Sequence, residues 1–435
     1  MMEVTAGKIQ IEKHQAYKDS GIKWLGKIPK HWDVLANKHI FKLKKNQVGK
    51  KSGDFVLLSL TLNGVIKRDM ENPQGKFPAE FDTYQEVKSG DFIFCLFDVE
   101  ETPRAVGLSD FDGMITGAYT VMEPSKKFDK GFLYYFYLNI DGDKRMRSLY
   151  KGLRNTIPKE AFFSFKTFYP PLEEQIAIAK FLDRKTALID KAIAIKEQQI
   201  ELLKERRQIL IHKAVTRGLN PDVKMKDSGV DWIGDIPEHW EVKKLKYCSK
   251  IFRGKFTHRP RNDERLYDGK YPFFQTGDVA RAEKYLSEYK QTLNEFGLRV
   301  TTLFPKGTIV ITIAANIGDI AILDIDACFP DSIVGFEPEN FILKDFLYNS
   351  LLIMKEQFMS STIKNTQMNL NVDRIGINSI AIPPIKEQNE INDHIDAVSF
   401  KISNSIYLKQ QEIEKLQEYK STLINSAVTG KIKVC

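Results

Sequence analysis

The chain has 435 residues, enough for two or three domains that each bury a core, and its 42% hydrophobic and 28% charged residues are ordinary for a globular protein. No apolar run reaches the roughly 18 residues that span a bilayer, the N-terminus lacks the apolar core of a signal peptide, and the four cysteines are scattered without metal-site or disulfide spacing; a reducing cytoplasm fits all three. A net charge of +8 and a pI near 8.9 favour a polyanionic partner but do not by themselves name one.

Residues 1–18 lack periodicity and read as an irregular lead-in. Asp19-Ser20-Gly21-Ile22-Lys23-Trp24-Leu25-Gly26-Lys27-Ile28-Pro29-Lys30-His31-Trp32 follows, and it returns as Asp227 to Trp240 with 9 of 14 positions identical and an offset of 208. The two copies hold all four tryptophans, and glycine and proline between bulky residues suit a turn or short strand packed down by the indoles. Gly21 to Lys27 has the outline of a phosphate-binding loop, but Ile28 stands where a hydroxyl residue is required and Asp235 replaces the lysine in the second copy. His31 and His239 are equivalent and read as packing or capping side chains.

From Asp33 to Tyr169 strand-like runs such as Phe55–Leu58 and Asp91–Phe97 are bounded by glycine turns, and the aromatic stretch Gly131–Ile140 suits a buried helix. Residues 241–382 show the same alternation of elements, since Phe304–Ile311 parallels Val87–Phe94 and Lys344–Met354 parallels the aromatic helix. Two α+β domains of one kind are expected.

Each domain ends in a double proline. Pro170-Pro171-Leu172-Glu173-Glu174-Gln175 corresponds to Pro383-Pro384-Ile385-Lys386-Glu387-Gln388, and Ala214-Val215-Thr216 to Ala427-Val428-Thr429, both at an offset of 213. A constant offset means that this segment is locked in length. The prolines and the acidic residues mark a helix start. A 4-3 spacing then runs through Leu182, Thr186, Ile189, Ile193, Lys196, Ile200, Leu203, Arg207, Leu210 and Ala214, and again, 213 residues on, from Ile395 to Ala427. Matching seams predict two helices of about forty residues, roughly 60 Å each, paired as a coiled coil. Head-to-tail halves in one chain close most naturally with pseudo-twofold symmetry, hence antiparallel, with the domains expected at opposite ends. The resulting division is 1–170, a globular domain with its lead-in; 171–217, the first long helix; 218–382, the second globular domain; and 383–435, the second long helix and tail.

Candidate DNA contacts follow from local chemistry. The second domain offers Phe252 to Arg261, with Arg253, Lys255, Arg259 and Arg261 able to clamp phosphates or read guanine edges. The first offers Lys144 to Thr156, with Arg145, Arg147, Arg154 and Asn155; its counterpart Thr362 to Asn369 carries Lys364, Asn365 and Gln367, amides that suit adenine edges. Lys42, Lys44, Lys45, Lys50 and Lys51 suit phosphates. The sequence shows no zinc-ligand cluster and no dinucleotide fingerprint. Tyr169-Pro170-Pro171-Leu172 fails as an adenine-methyltransferase motif, and Asp82 with Glu86 and Lys88 is too tightly spaced for a nuclease site.

The two Asp-Ser-Gly-x-x-Trp-x-Gly-x-Ile-Pro-x-His-Trp segments, the Pro-Pro-x-x-Glu-Gln helix starts and the Ala-Val-Thr-x-Gly close at Ala214 to Gly218, approximated at Ala427 to Gly430, resemble the specificity subunit of type I restriction-modification systems over almost the whole chain. The resemblance implies two target recognition domains, each reading one part of a split, asymmetric DNA sequence, with the long helices as spacer. It implies two methyltransferase subunits that use S-adenosylmethionine to methylate adenine N6, and restriction subunits that use ATP and Mg. It implies neither cofactor, nor a metal or catalytic residue, in this chain. Two other classes stand beside it: a self-sufficient fused DNA methyltransferase/endonuclease, which would methylate alone, and a non-enzymatic coiled-coil DNA-binding scaffold, which would purify without such partners.

Overall fold

A computed structural model describes residues 12–22, 24–69, 81–151, 155–314, 316–360 and 370–434. The chain divides into two compact units, Met1–Lys196 with Gln410–Cys435, and Glu197–Lys409. The boundaries therefore fall inside the long helices, and each unit takes a piece of both.

In the first unit the tryptophan repeat is a hairpin of strands Tyr17–Asp19 and Lys27–Pro29. The glycines that mimic a phosphate loop lie in its turn, with no helix following. Strand Asp33–Ala36 pairs antiparallel with Lys166–Tyr169, the last segment before the double proline. The central sheet runs Phe41–Leu43, Thr120–Pro124, Phe92–Phe94, Val106–Leu108, all antiparallel. Alternate residues on a strand face opposite ways. Phe92 and Phe94 accordingly join the main core with Phe41, Tyr137 and Phe162, while Ile93 and Val121 join a second cluster with Leu58 and Val87. The aromatic helix is Lys130–Gly142, capped by Asp129, whose side chain accepts from the Phe132 amide at 2.8 Å.

The second unit repeats this frame. Its hairpin is Met225–Asp227 with Asp235–Pro237, strand Glu241–Lys244 pairs with Ser379–Ile382, and the equivalent helix is Lys344–Leu352. The sheet runs Ser249–Arg253, Ile333–Pro338, Ile309–Thr312, Ile320–Leu323, with Tyr285–Leu286 added parallel at the edge. The units differ in what is inserted. The second carries an extra four-stranded sheet around Tyr267–Phe273, whose own cluster includes Phe256, Leu266, Phe273 and Leu293.

The long helices are Leu172–Arg217 and Ile385–Val428, 46 and 44 residues, or about 69 and 66 Å. Every seam position inferred from the sequence is buried or half-buried. The pairing is antiparallel within each unit. In the first, Asp190 meets Lys420 at 2.6 Å and Lys196 meets Glu412 at 2.5 Å, so partners step backwards as the first helix advances. In the second, Lys409 donates to Gln199 at 2.6 Å. The last two bonds are one contact made twice: 213 residues separate Lys196 from Lys409 and Gln199 from Glu412.

The repeated motifs clasp one another. Trp32, fully buried, donates its indole N–H to Glu174 at 3.1 Å, and His31 meets the other oxygen of Glu174 at 2.8 Å. Trp240 and His239 treat Glu387 in the same way, at 2.9 and 2.7 Å. The next residue closes the second half of the clasp. Gln175 donates to the Pro170 carbonyl and accepts from the Asp129 amide; Gln388 donates to the Pro383 and Phe341 carbonyls and accepts from the Leu343 amide. Each glutamine thus fixes the residue that precedes the aromatic helix or its counterpart. Gly430 and Gly218, at φ +69° and +71°, end the two long helices against the indoles of Trp32 and Trp240; a Cβ would lie 3.2 and 3.1 Å from the rings.

Gln388 is fully buried, so Gln388→Leu leaves an amide and two carbonyls without their partner. We expect a loss of about 2–4 kcal/mol in the second unit, read as an earlier transition in urea unfolding, with the first unit's transition unmoved.

Candidate nucleic-acid interface

In the second unit the basic segment is a constrained loop that leaves strand Ser249–Arg253. Phe256 is buried at its root, and Gly254 has no room for a side chain because the Pro330 carbonyl would lie 2.2 Å from a Cβ. Three arginines converge on one acidic residue. Arg253 donates from Nε to the Asp331 carbonyl at 2.5 Å, Arg261 pairs with the Asp331 carboxylate at 2.5 Å, and Arg259 lies 3.8 Å from the second oxygen while donating to the Phe256 and His258 carbonyls. One carboxylate against three guanidiniums leaves the cluster strongly positive. Arg259 and Arg261 remain about half exposed, and Lys255 is exposed on the same loop. The far side of the loop is held by Asp263, which bonds Arg265 and His258; the Arg265 guanidinium, the larger influence, keeps that carboxyl well below the usual carboxylate range.

Beside the loop a cavity of about 460 Å³ is lined by Arg261, Asn262, Tyr267, Gln275 and Gln291, among others. Gln275 donates to Gln291 at 3.1 Å. Paired amides next to an arginine are the groups that recognise adenine and guanine edges. Sequence reasoning passed over both glutamines and Asp331, because each is isolated in the sequence: the extra sheet brings the glutamines to the loop, and the central-sheet pairing of Arg253 with Val334 brings Asp331.

The first unit treats its candidates unequally. Lys44 is turned inward to Asp91 at 2.6 Å, the pair only 16% and 5% exposed. Arg145 stacks on the Trp24 ring at 4.2 Å, pairs with Asp143 and is 19% exposed. Both side chains are spent on holding the unit together. Arg147, 64% exposed, shares its charge with Glu100 at 2.8 Å. Lys45 and Asn155 are exposed, and the Asn155 carbonyl accepts from the Asp98 amide at 2.8 Å. Arg154, Lys364, Asn365 and Gln367 lie outside the described residues.

Chemistry of other kinds finds little support among the described residues. Burial pushes the Cys248 thiol up to about 11 and Cys328 up to about 12, away from nucleophilic thiolates. Glu86 and Lys88 form an ordinary ion pair at 3.0 Å, with Asp112 at 3.6 Å. No helix there is long and apolar enough to cross a membrane. One cluster could hold a cation: His14, His31 and Glu174 bring their ligand atoms within 4.8 Å of one another.

What the geometry defines is one frame used twice, with exposed donors mounted on it. Comparison with known proteins points to a class. Residues 237–418 match the family model for the type I restriction modification DNA specificity domain. The chain is 25% identical to a protein of Methanocaldococcus jannaschii that carries the name of a type I restriction enzyme MjaX specificity subunit, over 97% of this chain and 98% of that one. It is 29% identical to the type I restriction enzyme MjaVIII specificity subunit of the same organism, over 74% and 75% of the two chains. A solved structure from work on complex assembly and conformational transition of the type I R-M system shares the fold, with a TM-score of 0.66 at 15% identity, covering 92% of this chain and 98% of that chain. Over almost its whole length the chain is therefore similar to type I restriction-modification specificity subunits.

The inward and outward basic residues separate by experiment. Lys44→Met leaves the buried Asp91 carboxylate with no counter-charge and only the Lys88 amide at 2.7 Å, and is expected to cost about 3 kcal/mol in denaturant unfolding. Arg147→Ala is expected to change stability by less than about 0.5 kcal/mol.

Proposed function

We propose that this chain is the DNA-reading subunit of a type I restriction-modification complex, and that each unit reads one part of a bipartite, asymmetric site. The observation that carries the reading is the duplication itself: one frame, locked by identical clasps to one pair of helices, carries two different sets of exposed polar groups. A single site would need one set; two different sets suit two unlike half-sites. The long helices act as the spacer, and their fixed length sets the separation that the target must match. In the second unit Arg259 and Arg261 supply the principal contacts, with Arg253 and Lys255 on phosphates and the Gln275 and Gln291 amides facing base edges. In the first unit Arg147, Lys45 and Asn155, with Arg154, take the corresponding part.

The chemistry then belongs to partners. Two methyltransferase subunits with S-adenosylmethionine would methylate adenine N6, and restriction subunits with ATP and Mg would cleave unmodified DNA. A methyltransferase would dock on an apolar stripe of the first long helix. Leu188, Ile195, Leu202 and Ile209 recur every seven residues and are 45–59% exposed, beside the seam and not in it. Aliphatic residues repeated at that spacing on the outside of a helix pair suit a further helix packed alongside.

Two outcomes are expected. Arg259→Ala with Arg261→Ala, expressed with the cognate methyltransferase, relaxes or abolishes the sequence requirement at one half of the mapped methylation site and leaves the other half intact; an unchanged methylation map excludes these arginines from the reading surface. Leu188→Glu with Leu202→Glu leaves unfolding of the isolated chain within about 0.5 kcal/mol, since both side chains are exposed, yet prevents co-purification with the methyltransferase. Undiminished co-purification places the docking face elsewhere.

A further inference from the structure

The internal repeat is its own control for the junction at the base of each unit. A histidine and a glutamate meet there in both, at 2.8 Å for His31 and Glu174 and 2.7 Å for His239 and Glu387, each beside an indole that bonds the same carboxylate. The second unit shows that this clasp is complete with two side chains and a tryptophan. The first unit adds a third. His14, its side chain 8% exposed, places Nε2 3.9 Å from Glu174, with its ring centroid 5.4 Å from that of His31. The residue at the same place in the second repeat is Asp222, which is exposed. The clasp therefore explains His31 and Glu174 but not the burial of a second imidazole against them.

We propose that His14, His31 and Glu174 form a divalent transition-metal site of the Zn²⁺ class, peculiar to the first unit. Two imidazoles and a carboxylate are a donor set that such cations favour over Mg²⁺ or Ca²⁺. Tetrahedral bonds of about 2.0–2.1 Å hold ligand atoms about 3.3 Å apart; the three atoms here, within 4.8 Å of one another, reach that spacing by side-chain movements of about an ångström. An outer partner of a metal site is also in place. Glu174 accepts the Trp32 indole N–H, a contact that orients the carboxylate. Three protein ligands leave a fourth position open. It faces a cleft of about 650 Å³ that His14 and His31 line together with Lys13, Lys30 and Lys433. Glu12 also lines the cleft and pairs with Lys433 at 3.8 Å, so a smaller positive excess favours an anion or hydroxide as the fourth ligand. A bound ion would tie the segment around His14 to the tryptophan hairpin and to the start of the first long helix. None of this depends on DNA recognition.

The test uses the full chain without a histidine tag, stripped with a chelator and titrated with Zn²⁺ by calorimetry and with Co²⁺ by visible absorption. One equivalent is expected to bind, with the ligand-field bands of a low-coordinate imidazole complex and a rise in unfolding temperature. His14→Gln is expected to weaken uptake by more than about tenfold and remove the bands, while its metal-free unfolding temperature matches that of the metal-free parent. His239→Gln, in the other clasp, is expected to retain the site. His31→Gln decides the matter in the same way should His14→Gln fold poorly. Absence of stoichiometric uptake by the parent chain, or uptake undiminished in the folded histidine variant, overturns the site.

Discussion

Everything in this molecule is referred to a carboxylate and an amide that sit side by side at the start of each long helix. Glu174 and Glu387 take the indole and imidazole of the tryptophan hairpin; Gln175 and Gln388 take the backbone before the aromatic helix and its counterpart. The glutamines are buried, where an unmet donor or acceptor is costly, while the glutamates sit at the edge with their histidines half exposed. Two adjacent residues thus join three pieces of chain that lie far apart in sequence, and the same assembly recurs 213 residues on. The sequence motifs that looked like separate signatures are the two faces of one contact.

That contact also dictates the direction of the helices. Each unit needs the beginning of one long helix, for its glutamate and glutamine, and the end of the other, for the glycine that lies flat on the indole. The first unit takes Glu174 from one helix and Gly430 from the other; the second takes Glu387 and Gly218. Helices that present opposite ends to the same unit run antiparallel within it. The seam then needs only to be consistent with a direction already chosen, which is why it tolerates Lys196 and Lys409, each reaching the equivalent position on the other helix.

What could be read from the sequence is what repeats. The seam, the double prolines and the paired tryptophans were legible because a second copy separates constraint from chance; Ile28 and Asp235 exposed the false phosphate loop for the same reason. Strand limits were less so. The strand-like run from Phe55 is strand only from Leu58, since Phe55 packs beside Val48 and Leu57 at the end of a 3-10 turn that hydrophobicity alone does not reveal. The charged residues were the hardest. Lys44 and Lys45 are neighbours of one type, yet Lys44 faces Asp91 across the sheet edge and Lys45 faces solvent. Asp331, which gathers the arginines of the basic loop, lies seventy residues from the nearest of the two it pairs with. Alternation and long-range pairing decide such cases, and neither leaves a local mark.

The division between frame and insert follows from where the energy is concentrated. Clasp, seam and central sheet bury the large side chains and satisfy their polar groups, so substitutions there act on the fold of a whole unit. The loop that carries Arg259 and Arg261 is attached to the frame through Phe256, Gly254 and the Asp331 carboxylate, while its donors stay outside. Those donors can be exchanged without opening the core beneath them. If this loop is the reading surface proposed above, its reading would change residue by residue, while the length of the helical pair and the grip of the buried Trp32 and Trp240 on Glu174 and Glu387 stay constant.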